Sequence, residues 1–251
     1  CAYCIVRIAR GQERSRPLQD VLEEVLARQA EGYQEIVLTG VNIGAYGRDQ
    51  GETLIGLVGA ILEATEFHRL RLSSIEPWDV SPGLLRLWRN PRLCRPLHLP
   101  LQSGCDATLQ RMNRRYSTAA YRDLLSHARA AIHDLAMTTD VIVGFPGETD
   151  DEFEASAQFV AEMSFARVHV FPFSARPGTL AAVMPQQIPP PVKKARAERM
   201  RTIGKASARA FRACFLGRRM DVLWEACVGD TWNGLTDNYI RVEATSTQDL
   251  R

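Results

Sequence analysis

Two cysteines at the start of the chain have the spacing of metal ligands. Cys1 and Cys4 are separated by two residues, so one tight loop can present both thiolates to a single metal centre. Tyr3 directly precedes the second cysteine and can cover one side of that centre. Redox pairs have the same spacing. The motif alone therefore favours a metal site but leaves a redox pair or a chance pairing open.

The rest of the composition limits the classes of protein to which the chain can belong. Six cysteines, at positions 1, 4, 94, 105, 214 and 227, are scattered through 251 residues, a pattern unlike a disulfide framework. No signal peptide or long apolar run is present, so we expect a cytoplasmic protein with no membrane partner. The four later cysteines are predicted to be small buried hydrophobes. Because the chain opens on a candidate ligand without an initiator Met, it is expected to be a fragment.

Apolar segments alternate with helical ones along the first two thirds of the chain. Each apolar segment is short and nearly continuous, as expected of parallel strands covered on both faces. The strands are predicted at 35–39, 69–75, 95–101, 138–144 and 166–171, with helices at 14–31, 53–65, 82–88, 117–131 and 149–164. Pro17 is placed in the first turn of its helix, and Ser117 and Thr149 are expected to act as N-caps. This order predicts an α/β fold, either a (β/α) barrel or an open doubly wound sheet.

The residues that follow these strands are polar and rich in glycine. They occupy 39–42, 74–76, 102–104, 144–148 and 174–176. Because such folds place their sites where the strands end, these segments are expected to form one rim. The 144–148 segment lacks the Lys-Ser/Thr of a P-loop, and we reject that interpretation.

The character of the sequence changes after three prolines at 189–191. Ten basic residues and one acid, Glu198, lie between 193 and 219, while the whole chain has a net charge of only +2. The predicted helix at 192–215 can follow a phosphate backbone or be an ordinary solvated helix. A strand at 219–225, a glycine-containing turn and a strand at 238–243 are predicted to start a small β-domain.

The motifs in this order resemble the methylthiotransferase branch of the radical S-adenosylmethionine (SAM) enzymes. The resemblance is carried by residues 9–16, 38–47, 98–104, 112–116, 140–148 and 171–179. Those enzymes carry Cys-x3-Cys-x2-Cys, and Cys1 and Cys4 match its second and third cysteines. Segments 41–47, 73–77 and 171–179 look most like the enzyme that acts on threonylcarbamoyladenosine in tRNA. Sister enzymes that act on isopentenyladenosine or on a ribosomal protein are the alternatives.

The resemblance implies an organisation and a set of cofactors. It implies a partial radical-SAM (TIM-like) barrel without its first strand at 1–185, a basic linker helix at 186–216, and the start of a TRAM-like RNA-binding domain at 217–251. Cys1 and Cys4 would ligate a [4Fe–4S] cluster, and SAM would be bound by Tyr3, Thr39, Gly40, Val41, Gln102, Ser103, Val143, Gly144 and Arg176. The cofactors carry the chemistry, and the protein binds and orients them.

The family also implies parts that this chain lacks. A second cluster in an N-terminal domain supplies the sulfur, so this chain alone is not expected to complete methylthiolation. The implied partners are tRNA, an electron donor such as flavodoxin or ferredoxin, and a sulfur donor that the sequence does not identify. A cluster-free RNA-binding protein is the alternative from another class.

Several residues keep an ordinary structural interpretation at this point. His98 is expected to be a satisfied core histidine, Glu76 can simply close a strand, and Glu148 can favour the following helix N-terminus. The 113–116 segment can bind RNA or form an exposed helix end.

Overall fold

A computed structural model describes residues 1–250 of the chain. Within that range the α-helices are α1 Val6–Arg10, α2 Leu18–Ala30, α3 Leu54–Ala64, α4 Pro82–Arg86, α5 Asp106–Arg111, α6 Thr118–Ala131, α7 Asp150–Glu162 and α8 Pro190–Ala213. The strands are β1 Glu35–Leu38, β2 Arg69–Leu72, β3 Pro96–His98, β4 Ala136–Val143, β5 Arg167–Pro172, β6 Val222–Val228, β7 Thr231–Thr236 and β8 Arg241–Thr245. Short 3-10 turns occur at 43–45, 77–79, 87–89 and 180–182.

The first five strands are parallel and lie in chain order. β1 pairs with β2, and β3, β4 and β5 form a second parallel sheet. A bridge between Leu70 and Leu93, together with a hydrogen bond of 3.0 Å from Ile75 N to His98 O, joins the two sheets. In a (β/α) barrel the parallel strands follow one another in chain order. In a doubly wound sheet the strand order reverses part-way across the sheet. The predicted α/β partial barrel is therefore confirmed.

Helices cover one face of this sheet. The main core contains Leu97, Leu99, Val141 and Val143 from the strands and Val58, Tyr121, Phe159 and Met200 from the helices. Gly204 of α8 lies close against β5, since a Cβ there would lie only 3.0 Å from Val168 Cβ. α8 therefore packs directly on the last barrel strand. The alternate side chains of each strand point to the opposite face, which we call the inner face.

Four of the eight α-helices within residues 1–250 begin at a residue whose side chain caps the helix, namely Thr53, Ser81, Ser117 and Thr149. Ser117 accepts a hydrogen bond from Ala120 N, and Thr149 and Glu152 form a complete capping box at α7. The first predicted boundary is wrong. Pro17 lies before α2 with ψ of 142°, an extended conformation, rather than inside its first turn. Residues 14–17 are not helical, and the helix starts at Leu18.

The C-terminal residues form a three-stranded antiparallel sheet in the order β6-β7-β8. The prediction of a turn between two strands is wrong, because β7 occupies the centre of this sheet. Asn238 and Tyr239, which were predicted to begin a strand, lie in the β7–β8 turn, and Tyr239 has φ of 67°. Gly234 is required in β7, since a Cβ there would lie 2.6 Å from Leu223 O.

No helix within residues 1–250 is both long enough and apolar enough to cross a membrane.

Candidate functional site

The loop that carries Cys1 and Cys4 is fixed by the backbone of the residue between them. Ala2 N donates to Met112 O, and Ala2 O accepts from Ala181 N, each over 2.9 Å. Ala2 is buried, whereas both cysteines are exposed and free. The loop therefore holds two accessible thiols at a defined position.

Aromatic packing places this loop where the strands end. Tyr3 meets Phe145 edge-on with ring centroids 6.1 Å apart, and Phe145 meets Phe173 at 5.2 Å. Phe145 follows β4 and Phe173 follows β5, so the two thiols lie at the carboxyl edge of the sheet. Burial raises the pKa of Tyr3 well above its usual range, so its phenol stays neutral. Tyr3 is therefore an uncharged wall beside the cysteines.

Arg114 is a site residue that the sequence interpretation did not identify. Its side chain is 1 % exposed, and Nη1 donates to Cys1 Sγ over 3.0 Å. The same guanidinium pairs with Glu76 and lies 4.8 Å above the Trp78 ring. An RNA-binding role for Arg114 is therefore wrong, because the side chain faces the protein interior. Glu76 does more than close a strand, since it holds this cation beside a cysteine.

Thr39, Gly40 and Val41 lie at the end of β1 and are exposed. They line a cavity of about 1000 Å³ together with residues 6–7 and 10–16. Asn42 Nδ2 donates to Glu13 Oε1 over 2.8 Å and closes part of its wall. The cavity therefore connects the predicted Thr39–Val41 turn with the helix that follows the cysteine loop.

Gln102 and Ser103 are buried at the end of β3. Gln102 has φ of 65°, and its backbone pairs with β4 through Asp140 O and Ile142 N, each over 2.8 Å. The Ser103 hydroxyl accepts from Cys105 N over 3.3 Å. Both residues therefore have structural tasks in the turn, beside their predicted contact with ribose hydroxyls.

Val143 and Gly144 end β4 next to Phe145. Gly144 has φ of 70°, and its N–H donates to Glu148 Oε2 over 2.6 Å. Arg196 of α8 donates to the same carboxylate oxygen over 2.7 Å. Glu148 is buried, and its burial raises the pKa of the carboxyl group despite the arginine. Glu148 therefore ties the β4 turn to α8 and is not merely a helix N-terminal acid.

Arg176 follows β5 and is anchored through its backbone. It is exposed in the segment after β5, and its carbonyl accepts from Thr179 N and Oγ1 over 3.1 and 2.7 Å. Its guanidinium makes no ion pair with any residue in the range 1–250. The positive charge of Arg176 is thus free to pair with an anionic ligand.

The chain supplies part of a cluster site. Among residues 1–250, no three His, Cys, Asp or Glu side chains are grouped as metal ligands, and Cys1 and Cys4 are two exposed free thiols on one short loop. Two buried polar atoms without hydrogen-bond partners, Asn42 Oδ1 and Ser73 Oγ, lie just after β1 and β2. Such atoms are typical of a site that a polar ligand completes. The residues therefore fit an iron–sulfur cluster and a polar cofactor at this edge.

The other cysteines do not form a second centre. Cys94 is buried as predicted, and burial raises the pKa of its thiol to about 12. Cys105 is half-buried, and Cys214 and Cys227 are exposed, so the prediction that all four are buried is wrong.

The basic segment divides into anchored and free residues. Lys193, Arg196, Arg199 and Arg218 contact Phe173 O, Glu148, Glu154 and Asp134, respectively. Arg201, Lys205, Arg209 and Arg212 are exposed and make no ion pair in the part of the chain that the structure describes. Their spacing puts these four cations on one face of α8, away from the face that packs on β5.

Comparison with known proteins gives a family. The model of the family described as the Radical SAM superfamily matches residues 1–160. A threonylcarbamoyladenosine tRNA methylthiotransferase of Thermotoga maritima is 40 % identical over 97 % of this chain, and one of Bacillus subtilis is 35 % identical over 100 %. A tRNA-2-methylthio-N(6)-dimethylallyladenosine synthase of Geobacter sulfurreducens is 38 % identical over 100 %. The chain spans 57 % of the length of each of these three relatives.

Solved structures agree on the fold. The radical SAM methyltransferase TsrM of Kitasatospora setae, solved with cobalamin and a [4Fe–4S] cluster, has a TM-score of 0.58 and 18 % identity over 73 % of this chain and 37 % of its own. Methylornithine synthase has a TM-score of 0.56 and 16 % identity over 81 % of this chain and 58 % of its own. At such identities the likeness concerns the fold alone.

Proposed function

Because the chain belongs to the radical SAM superfamily, we propose that it carries the SAM-cleaving part of an enzyme that methylthiolates threonylcarbamoyladenosine in tRNA. The observation that carries the proposal is the exposed Cys1 and Cys4 pair, held on a fixed loop at the carboxyl edge of a parallel sheet. The two methylthiotransferases that are 40 % and 35 % identical support the choice of substrate.

We assign the site residues as follows. Cys1 and Cys4 hold two positions of a [4Fe–4S] cluster, and Tyr3 borders SAM with an uncharged ring. Backbone groups of Thr39, Gly40 and Val41 meet the amino acid end of SAM, Gln102 and Ser103 meet its ribose, and Val143 and Gly144 meet its adenine. Arg176 binds a carboxylate or phosphate through a forked contact. When bound, cluster and SAM together supply the one-electron cleavage that starts hydrogen abstraction from the target carbon.

The protein's own contribution is to bind and shield. The Tyr3, Phe145 and Phe173 rings form an apolar wall beside the thiols, which excludes water from that side of the site. Arg114 fixes the position of Cys1 through its N–H to sulfur contact. Glu76 in turn fixes Arg114.

The remaining parts of the reaction are assigned to groups outside these 251 residues. We assign the sulfur-supplying second cluster to a separate N-terminal domain. The electron would come from a flavodoxin or ferredoxin in the cytoplasm.

We propose three units along the chain: residues 1–185 for the SAM-cleaving core, 186–216 for the linking helix and 217–251 for the start of a TRAM-like RNA-binding domain. The free cations Arg201, Lys205, Arg209 and Arg212 support a contact with the tRNA backbone. The antiparallel sheet β6-β7-β8 follows them in the chain.

A dimethylallyladenosine substrate is the second candidate. Relatives of that specificity from Geobacter sulfurreducens and Chloroflexus aurantiacus are 38 % and 39 % identical, close to the values for the threonylcarbamoyl enzymes. Overall identity therefore does not separate the two substrates.

The proposal is tested by nucleoside mass spectrometry of total tRNA from cells with and without the natural gene. We expect loss of 2-methylthio-threonylcarbamoyladenosine and accumulation of its unthiolated precursor. A change confined to the dimethylallyl nucleoside would select the second candidate, and no change in any methylthio nucleoside would refute both.

A variant pair tests the cluster ligands. In the full-length protein, Cys4→Ala is expected to abolish SAM cleavage and lower iron content, whereas Cys214→Ala, which changes another exposed cysteine, leaves both unchanged. Retained cleavage in Cys4→Ala contradicts the ligand assignment.

A further inference from the structure

A polar layer crosses the inner face of the sheet from the last residue of β3 to the middle of β4 and β5. In the strand register His98 lies beside Thr138, and Asp140 lies beside His169. His98 Nδ1 is 2.9 Å from Thr138 Oγ1, and His98 Nε2 is 3.4 Å from Asp140 Oδ1. The rings of His98 and His169 are 5.9 Å apart. Three neighbouring strands thus contribute polar groups to one small region.

This layer is bounded along the strands. On the cysteine side, Ile142 is the next inner residue of β4, about 6.6 Å further along the strand than Asp140. Ile142 packs against the cluster of Ala2, Phe145 and Phe173. On the opposite side, the Tyr239 ring covers Arg71 of β2 at 3.9 Å. The polar layer therefore lies between the proposed cofactor edge and the C-terminal sheet.

One side chain of this layer has a nitrogen that makes no hydrogen bond within residues 1–250, and another side chain makes no ion pair there. His98 Nε2 is buried and makes no hydrogen bond with any residue from 1 to 250, so the expected satisfied core histidine is wrong. Arg167, two residues before His169 on the inner face, makes no ion pair within that range and is exposed. His169 is half-buried, and burial lowers the pKa of its imidazole, which keeps the ring neutral. A neutral imidazole donates at one nitrogen and accepts at the other.

We propose that His98, Asp140, Arg167 and His169 bind the substituent on N6 of the target adenosine and select one that bears hydroxyl, amide and carboxylate groups. The inference rests on the proposed function and names the feature that chooses between its two substrates. Arg167 is the cation for a carboxylate, the two imidazoles are partners for a hydroxyl and an amide, and Asp140 is an acceptor.

The same layer disfavours an apolar substituent. A dimethylallyl group in this region offers no hydrogen bond to the buried nitrogen of His98 or to the Asp140 carboxylate. A site that hydrogen-bonds a substrate group strongly rejects an analogue that lacks this group. An apolar pocket rejects an analogue with an added hydroxyl group much less strongly. We expect a preference of at least about tenfold for the polar substituent.

The experiment measures binding rather than turnover. Anticodon stem-loop RNAs that differ only at N6, carrying threonylcarbamoyl, dimethylallyl or no substituent, are titrated against the full-length protein with its clusters intact. The variants are His169→Leu and Arg167→Gln, and His127→Leu is the control because His127 is exposed on α6. Arg167 is also exposed, so its variant tests the site even where His169→Leu fails to fold.

The native protein is expected to bind the threonylcarbamoyl RNA at least about tenfold more tightly than the dimethylallyl RNA. Arg167→Gln and His169→Leu should each reduce that ratio several-fold without changing affinity for the unsubstituted RNA. Equal affinities in the native protein, a preference for the dimethylallyl RNA, or equal weakening for all three RNAs would overturn the assignment. Nucleoside analysis of cellular tRNA reports separately on the proposed function, which stands if a methylthio nucleoside still depends on the gene.

Discussion

The Arg114 guanidinium is enclosed by partners for all three of its nitrogens. Nε donates to Tyr116 Oη over 3.1 Å, Nη1 reaches Cys1 Sγ, and both Nη atoms reach the Glu76 carboxylate. Trp78 covers the plane of the cation. Burial raises the pKa of Tyr116 to about 12 although Arg114 opposes the rise. Within residues 1–250, Glu76 is the one carboxylate that pairs with Arg114.

Removal of that charge should be costly. We expect Arg114→Gln to lower the free energy of unfolding by about 3 kcal/mol, because Glu76 is left without its counter-ion in a largely buried place. Chemical denaturation measures the change. The matched control is Arg115→Gln, an exposed neighbour that makes no ion pair among the described residues, and its effect should stay within about 0.5 kcal/mol.

A double-mutant cycle separates the ion pair from packing. Arg114→Gln combined with Glu76→Gln should recover part of the loss, with a coupling energy of about 1–3 kcal/mol. Strict additivity of the two changes would show that the pair contributes nothing beyond its separate contacts.

At the residue level, the sequence predicted the thiol pair but not its neighbours. Cys1 and Cys4 are recognisable because their spacing alone carries the chemistry. Arg114 lies in a run of polar residues, Asn113 to Tyr116, which locally looks like an exposed helix end. Its burial depends on Glu76 and Pro100, which are 38 and 14 residues away. Contacts of that range are not encoded in a local pattern.

Among the elements, α7 has the most complete N-terminus. Glu152 Oε2 accepts from Thr149 N over 3.1 Å, and Arg111 Nη1 donates to Glu152 Oε1 over 3.0 Å. The hydrogen bond from Arg111 is the main reason that the pKa of Glu152 lies below its usual range. The carboxylate form of Glu152 therefore stabilises the folded state, and this contribution depends on pH.

We expect Glu152→Gln to cost about 1–2 kcal/mol at neutral pH, since a cap contact and a charged hydrogen bond are lost. A depressed folded-state pKa gives a contribution that is present above the unfolded pKa and disappears as pH falls through the folded value. The difference between native protein and variant should thus shrink on the acid side. Unfolding curves at several pH values measure it.

Asp123→Asn is the control for that series, because Asp123 is exposed on α6 and has no ion-pair partner within the described chain. It should show no comparable difference at neutral pH. A Glu152→Gln difference that is constant from neutral to acid pH would contradict the role of the charged form.

At the element level, the barrel strands were predictable and β7 was not. The five parallel strands are short apolar runs between helices with good caps, so local pattern and tertiary environment agree. β7 contains Asn233 and Gly234, which are typical of a turn. It is a strand because it pairs with β6 and β8 on both sides, and Gly234 is needed where Leu223 O approaches closely.

For the molecule as a whole, the C-terminal sheet docks on the barrel through charged contacts. Arg95 forms a two-pronged ion pair with Asp237, and Arg69 donates to Leu235 O over 2.7 Å. Arg71 donates to Asp237 O and is covered by the Tyr239 ring. The β7–β8 turn therefore closes one end of the inner face. None of these contacts was predictable, because they join parts of the chain more than 140 residues apart.

Tyr239→Leu tests this docking. The variant keeps apolar bulk but removes the ring over Arg71, which should cost about 1 kcal/mol. Amide exchange in β7 and β8 is expected to become faster, while exchange in β4 is unchanged. Tyr33→Leu, at a residue that is 56 % exposed, is the control. Unchanged exchange in β7 and β8 would show that Tyr239 does not hold the sheet in place.

The two faces of α8 relate this architecture to RNA binding. One face carries Arg196 and Gly204 and fixes the helix on the barrel. The other carries Arg201, Lys205, Arg209 and Arg212, a row about 16 Å long at 1.5 Å per residue. Anchored cations cannot leave their carboxylates without cost, so the free row is better suited to phosphates than the anchored residues are.

Neutralising the free row to Gln is therefore expected to weaken tRNA binding and to reduce the slope of log K against log salt by about 3. The control removes the same charge from four exposed arginines elsewhere, Arg28, Arg86, Arg89 and Arg122. Of these, Arg28 and Arg122 are in exposed ion pairs with glutamates, whose loss is expected to contribute little. Because both variants lose four positive charges, a nonspecific effect of net charge would reduce the salt slope of both equally. A reduced slope in the α8 variant alone places the RNA backbone along this helix face, whereas equal slopes in the two variants exclude it.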